Sequence, residues 1–122
     1  MSKARDYRDE MSERFLTFAV NIVKLGGYMK KSFEAKHTYG QLFRAGTSSG
    51  ANYEESHSAQ SKKDFINKCE VSLKELRESK YWLRLVDKAE LARPNDILPW
   101  LLQENEELIK IVAKSVITTK TN

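Results

Sequence analysis

Lys74, Arg77, Tyr81, Arg84 and Lys88 follow one another at spacings of three, four, three and four residues. On a helix, residues three and four apart are neighbours, so the five side chains share one stripe. Four cations in a row can meet successive phosphates of a nucleic acid, and a tyrosine among them can stack on an unpaired base. Glu75, Glu78 and Asp87 interleave with the stripe. A solvated face of mixed charge is therefore the competing reading, and at this level both stand. Lys24, Lys30, Lys31 and Lys36 make a second basic group. Lysines near a helix C-terminus also simply complement its dipole.

Other chemistry finds less support. His37, His57 and Cys69 are the soft metal ligands available, and none has the His-x-x-x-His or Cys-x-x-Cys partner that a zinc site needs. No metal and no cofactor is expected. Cys69 falls on an apolar stripe and reads as a small core residue. No serine has a histidine at a recognisable motif spacing. Glu54 and Glu55 are adjacent, so on a helix they point about 100° apart and cannot work as an acid/base pair. Glu104, Glu106 and Glu107 suit the N-terminal half of a helix and water. A non-enzymatic protein is expected.

The 122 residues suit one domain. With 40% apolar and 31% charged residues, the chain is globular in composition rather than disordered. The net charge of +4 permits nucleic-acid binding without demanding it. No segment has the 18 or so consecutive apolar residues of a membrane span. The stretch MSKARDYRDEMSER is too charged for a signal peptide. A single cysteine cannot form an internal disulfide, which fits a reducing cytoplasm.

The elements that must carry these residues are helices. The spacing of Phe15, Phe18, Ala19, Ile22, Val23, Leu25 and Tyr28 or Met29 predicts a first helix over about 7–33, with Gly26 and Gly27 as a weak point that marks either a kink or a close contact with a neighbouring helix. A second helix is expected over about 39–59. A third runs from about 61 to 91, where Ser61 with Asp64 makes an acid-bearing capping box. Its apolar face is Phe65, Ile66, Cys69, Leu73, Leu76, Leu83 and Val86. Arg93-Pro94-Asn95-Asp96 is a break. Asn95 or Asp96 can cap a fourth helix over about 96–117, with Ile97, Leu101, Leu102, Leu108, Ile109, Val112 and Val116 inward. Beyond it the tail TTKTN is expected to fray. Four amphipathic helices on short connections make an all-α, antiparallel up-and-down four-helix bundle. Trp82, one residue off its helix's apolar stripe, and Trp100 suit either the core or an interface between subunits.

Residues 42–56, LFRAGTSSGANYEES, test that reading, because their composition is that of a loop. A phosphate-binding loop fails: Gly50 is followed by Ala51 and Asn52, without a lysine, and no strand precedes it. As a helix, the segment places Leu42, Ala45, Gly46, Ser49 and Tyr53 on one slim face that lets another helix approach closely. Arg44, Ser48, Asn52 and Glu55 lie on another face. Arg44 and Glu55 are too far apart to pair with each other. Either they pair between chains or they face water.

The blocks FRAGTSSGANYEES and SKKDFINKCEVSLKELRESKYWLRL also carry a resemblance. The chain resembles the bacterial four-helix-bundle family encoded in intervening sequences of large-subunit ribosomal RNA genes. The matching positions are Arg44, Ser48, Asn52, Glu55, Ser61, Asp64, Phe65, Leu73, Glu75, Tyr81, Trp82 and Leu83, dense over residues 40–86 and looser towards both termini. Where many members carry a "VW" motif and a Phe-Pro, this chain reads AVNIVKLGGYMKK and EAKHTYGQLF, without tryptophan or proline. The resemblance implies a homopentamer of bundles arranged as a ring. It also implies kinship with the accessory variability determinant proteins of diversity-generating retroelements, which bind nucleic acid and a reverse transcriptase. With the basic stripe and the net charge, two functions stand as expectations beside the plain option of a bundle with no partner beyond itself. One is an oligomer that binds structured RNA or an RNA/DNA intermediate through basic helical faces. The other is a scaffold that docks a polymerase or other polypeptide.

Overall fold

The computed structural model describes residues 3–122, without the side chains of residues 4 and 5. Four helices follow in order: α1 (Lys3–Leu25), α2 (Phe33–Ser56), α3 (Lys62–Lys88) and α4 (Ile97–Thr121). They form a four-helix bundle in which each packs antiparallel to the next and α4 closes against α1. Contacts along the seams fix these directions. Gly46 faces Ile22 and Gly50 faces Phe15 across α2 and α1, Arg44 pairs with Glu78 and Glu55 with Lys68 across α2 and α3, and Glu70 pairs with Lys120 and Lys80 with Glu106 across α3 and α4, while Arg14 pairs with Glu104 across α1 and α4.

The helix ends follow local chemistry. Gly26 and Gly27 terminate α1 rather than kink it: a 3₁₀ turn over Gly26–Tyr28 leads into extended backbone at Met29. The expected first helix to about 33 is thus eight residues too long. Ser32 then starts α2 six residues earlier than expected, its hydroxyl accepting from the Ala35 N–H at 3.1 Å. Ser61 caps α3 the same way, and Asp64 reaches back to the Gln60 N–H. Asn95 caps α4 through its side-chain oxygen and the Leu98 N–H at 2.8 Å. At the end of α3, Leu91 N–H bonds the Val86 carbonyl and Glu90 N–H that of Asp87, a Schellman motif that forces Glu90 to φ 53°. The tail does not fray as expected; α4 continues to Thr121.

The two loops at one end of the bundle are tied together. Lys30 N–H bonds the Leu91 carbonyl and Arg93 N–H that of Tyr28, making an isolated bridge between Met29 and Ala92. The Arg93 guanidinium also donates to the Gly27 carbonyl at 2.6 Å and lies 5.8 Å from the Tyr28 ring centre.

Residues 42–56 are helical, and their slim face does what small residues permit. Leu42, Ala45, Gly46, Ser49 and Tyr53 are all buried. A Cβ on Gly46 would overlap the Ile22 Cδ1 of α1, and one on Gly50 would come within 3.2 Å of Phe15 Cβ. α1 therefore lies against bare backbone, and Phe15 stacks on Tyr53 with ring centres 4.6 Å apart. Around that contact Phe18, Ile22, Leu42, Leu76, Leu83, Leu101, Leu108 and Val112 are fully buried. Each large side chain so buried contributes roughly 1.5–3 kcal/mol of transfer free energy. Val23 departs from the expected inward set. It is more than half exposed and lines up with Leu16 and Val20 on the outer side of α1.

Candidate nucleic-acid interface

The stripe on α3 is exposed from end to end: Lys74, Arg77, Tyr81, Arg84 and Lys88 all face solvent. Two of the three acids that interleave with it in sequence, Glu75 and Glu78, are drawn off in space. Glu75 and Glu78 turn towards α2, where both pair with Arg44. Trp82 Nε1 donates to Glu78 at 3.1 Å, and that bond, with Arg44 beside it, holds the Glu78 carboxyl below the usual carboxylate range. Lys80, on the α4 side, pairs with Glu106 at 2.7 Å. Among the described residues, Lys74, Arg77, Arg84 and Lys88 have no ion-pair partner. Asp87 is exposed beside Lys88 and is the one interleaving acid without a partner among the described residues.

The second motif is resolved inside one chain. Arg44 bonds Glu75 and Glu78, and Glu55 bonds Lys68 at 3.1 Å, so the pairing between chains that the sequence suggested is not required. The reason is geometric. α3 runs antiparallel to α2 and presents acids opposite Arg44 and a lysine opposite Glu55. Asn52 donates to the Ser48 carbonyl at 2.9 Å, a bond within its own helix. Trp82 is half-buried, its ring edge-on to Tyr81 at 5.1 Å and to His37 at 6.3 Å.

The lysines expected at the end of the first helix are dispersed by its early stop. Lys24 lies in the last turn of α1, where it complements the dipole. Lys30 and Lys31 lie in the connection and Lys36 in the first turn of α2, all exposed, so helix-end complementarity does not explain them. His37 and His57 are near opposite ends of α2 and Cys69 is in the core. Burial pushes the Cys69 thiol pKa up. Two features escaped the sequence reading. One is the exposed apolar line Leu16, Val20 and Val23, whose signal was the i, i+4, i+7 spacing. The other is Phe33, 78% exposed and stacked near His37.

A protein-family model described as "23S rRNA-intervening sequence protein" matches residues 9–114. The chain belongs to this family. A crystal structure of a protein with unknown function from the S23 ribosomal protein family of Bacteroides thetaiotaomicron VPI-5482 is similar to this intervening-sequence protein, with 33% identity and a TM-score of 0.77. The match covers 86% of this chain and 96% of that one. No curated protein matches. No helix among the described residues of this family member is long and apolar enough to cross a membrane.

Proposed function

We propose that this intervening-sequence protein is a non-enzymatic, self-associating protein that binds structured RNA through the basic face of α3. The observation that carries the reading is the separation of charge on that helix. Arg44 and Trp82 hold Glu75 and Glu78 at one side, leaving Lys74, Arg77, Arg84 and Lys88 free for phosphates. The family's description, which names an intervening sequence of 23S rRNA, supports RNA as the polymer. Self-association would repeat the weak basic face and raise its avidity. The apolar line of Leu16, Val20 and Val23 offers a surface for it. Five copies in a ring is the number the family resemblance implies.

Filter binding with structured RNA at low and moderate salt tests the reading. Four phosphate contacts per chain give a log–log salt slope of about −3 to −4. Arg77→Gln/Arg84→Gln should weaken binding and flatten that slope. An assembled protein that retains no RNA at low salt rules the function out. A second reading, a scaffold docking a polypeptide such as a reverse transcriptase, draws on the same apolar line of α1. It requires that a partner captured by the wild type is still captured by the double variant.

A further inference from the structure

Four aromatic side chains form a continuous row across the outer surface of α2 and α3. Phe33 lies nearly parallel to His37 with ring centres 6.2 Å apart. His37 meets Trp82 edge-on at 6.3 Å, and Trp82 meets Tyr81 edge-on at 5.1 Å. The two ends are open, with Phe33 78% and Tyr81 63% exposed. Single exposed aromatics need no explanation, but four linked one to the next make a patch. The surroundings of this patch are charged. Tyr81 sits within the stripe, between Arg77 and Arg84, and Lys30, Lys31 and Lys36 bracket Phe33 in the chain, all exposed.

We propose that this row is a stacking platform for the unpaired bases of a single-stranded RNA segment, whose phosphates lie on the α3 cations. The inference rests on the RNA reading above and narrows it to unpaired nucleotides. In a duplex both faces of each base are covered by its neighbours, so exposed rings find nothing to stack on. In a single strand each base offers a free face, and aromatic side chains beside a basic track are the usual receptor. Charge complementarity favours this occupant over a second copy of the same surface. Two such faces brought together would oppose the unpaired cations Arg77, Arg84 and Lys88 to themselves.

The test uses the full chain with two labelled probes, an unstructured oligouridine and an RNA duplex of equal length, read by fluorescence anisotropy over a salt series. Phe33→Ala and Tyr81→Ala should each weaken oligouridine binding by roughly tenfold, from the loss of one stacked base. Duplex binding and the salt slope should not change. Phe33→Tyr and Tyr81→Phe, which keep a ring, should bind as the wild type does. In a Trp100→Phe background, oligouridine should quench Trp82. If the alanine variants bind oligouridine like the wild type while Arg77→Gln/Arg84→Gln loses both probes, the platform is overturned and the RNA reading survives. If the wild type binds neither probe, both fall. If the alanine variants sediment differently and lose both probes together, the row is a contact between copies and the platform is overturned.

Discussion

Gly46→Ala measures how closely α1 and α2 are pressed together. The added methyl would overlap Ile22 Cδ1, with Ile22 Cγ1 at 3.6 Å and Phe18 Cε2 at 3.7 Å behind it. Ile22 and Phe18 are fully buried, so neither has open space to turn into. Alanine in place of glycine gains about 1 kcal/mol of helix propensity. Overpacking a dense core costs roughly 1–3 kcal/mol, and an overlap this deep belongs at the upper end. The net effect is a loss of about 2 kcal/mol. Ile22→Val removes the methyl that stands in the way, and alone costs about 1 kcal/mol. In the double variant the new Cβ fills the space that Cδ1 left, its remaining neighbours are at ordinary contact distance, and the propensity gain is kept. That protein should be within about 1 kcal/mol of the wild type, whereas independent effects would sum to a loss of about 3 kcal/mol. The coupling of about 2 kcal/mol exceeds the roughly 0.5 kcal/mol scatter of additive pairs. Urea unfolding followed by circular dichroism, at one protein concentration, reads it as a midpoint roughly 1 M lower for Gly46→Ala and largely restored in the double variant. An additive double variant, or a Gly46→Ala more stable than the wild type, would refute the close packing of α1 on α2.

Glu90→Gly should raise stability by about 0.5–1 kcal/mol in the same urea assay, because residue 90 holds the left-handed conformation that ends α3. Arg44→Gln should weaken RNA retention by releasing Glu75 and Glu78 beside the stripe, and adding Glu78→Gln should recover it; no recovery would mean that Arg44 acts otherwise than by neutralising those acids. Burial pushes the His57 imidazole pKa below its ordinary 6.5, with Glu54 opposing and Arg8 adding. The unfolded chain therefore takes up the proton first. This contribution to stability is complete above about pH 6.5 and is lost as pH falls from there through the lowered folded value. His57→Gln should reduce the loss of urea midpoint between about pH 7 and 5.5, and an unchanged loss would count against it. Cys69, buried and with its thiol pKa raised, should react with a maleimide only after urea unfolds the bundle.

Much of the bundle was legible because helical periodicity is a local property. Leu73, Leu76, Leu83 and Val86 on α3, and Leu101, Leu108, Val112 and Val116 on α4, are buried as their spacing predicts. Ser61 and Asn95 cap where turn chemistry places them. The errors fell where one local signal competed with another. Gly26–Gly27 reads locally as a weak point in a long helix, yet two glycines followed by the capping serine Ser32 are enough to stop one helix and start the next. Val23 fits the apolar spacing of α1 as well as Ile22 does. Only the presence or absence of a facing helix separates the buried residue from the exposed one.

By itself the sequence determined four helices, their apolar faces, and a row of cations on α3, since each depends on residues within a few turns of one another. Tertiary structure alone decided which charges are free and which aromatics touch. Arg44 lies 31 and 34 residues from the acids it holds, and His37 meets Trp82 across two helices. Such pairings depend on the register of α2 against α3. That register is set by the packing of the whole core around small residues, and no local spacing encodes it.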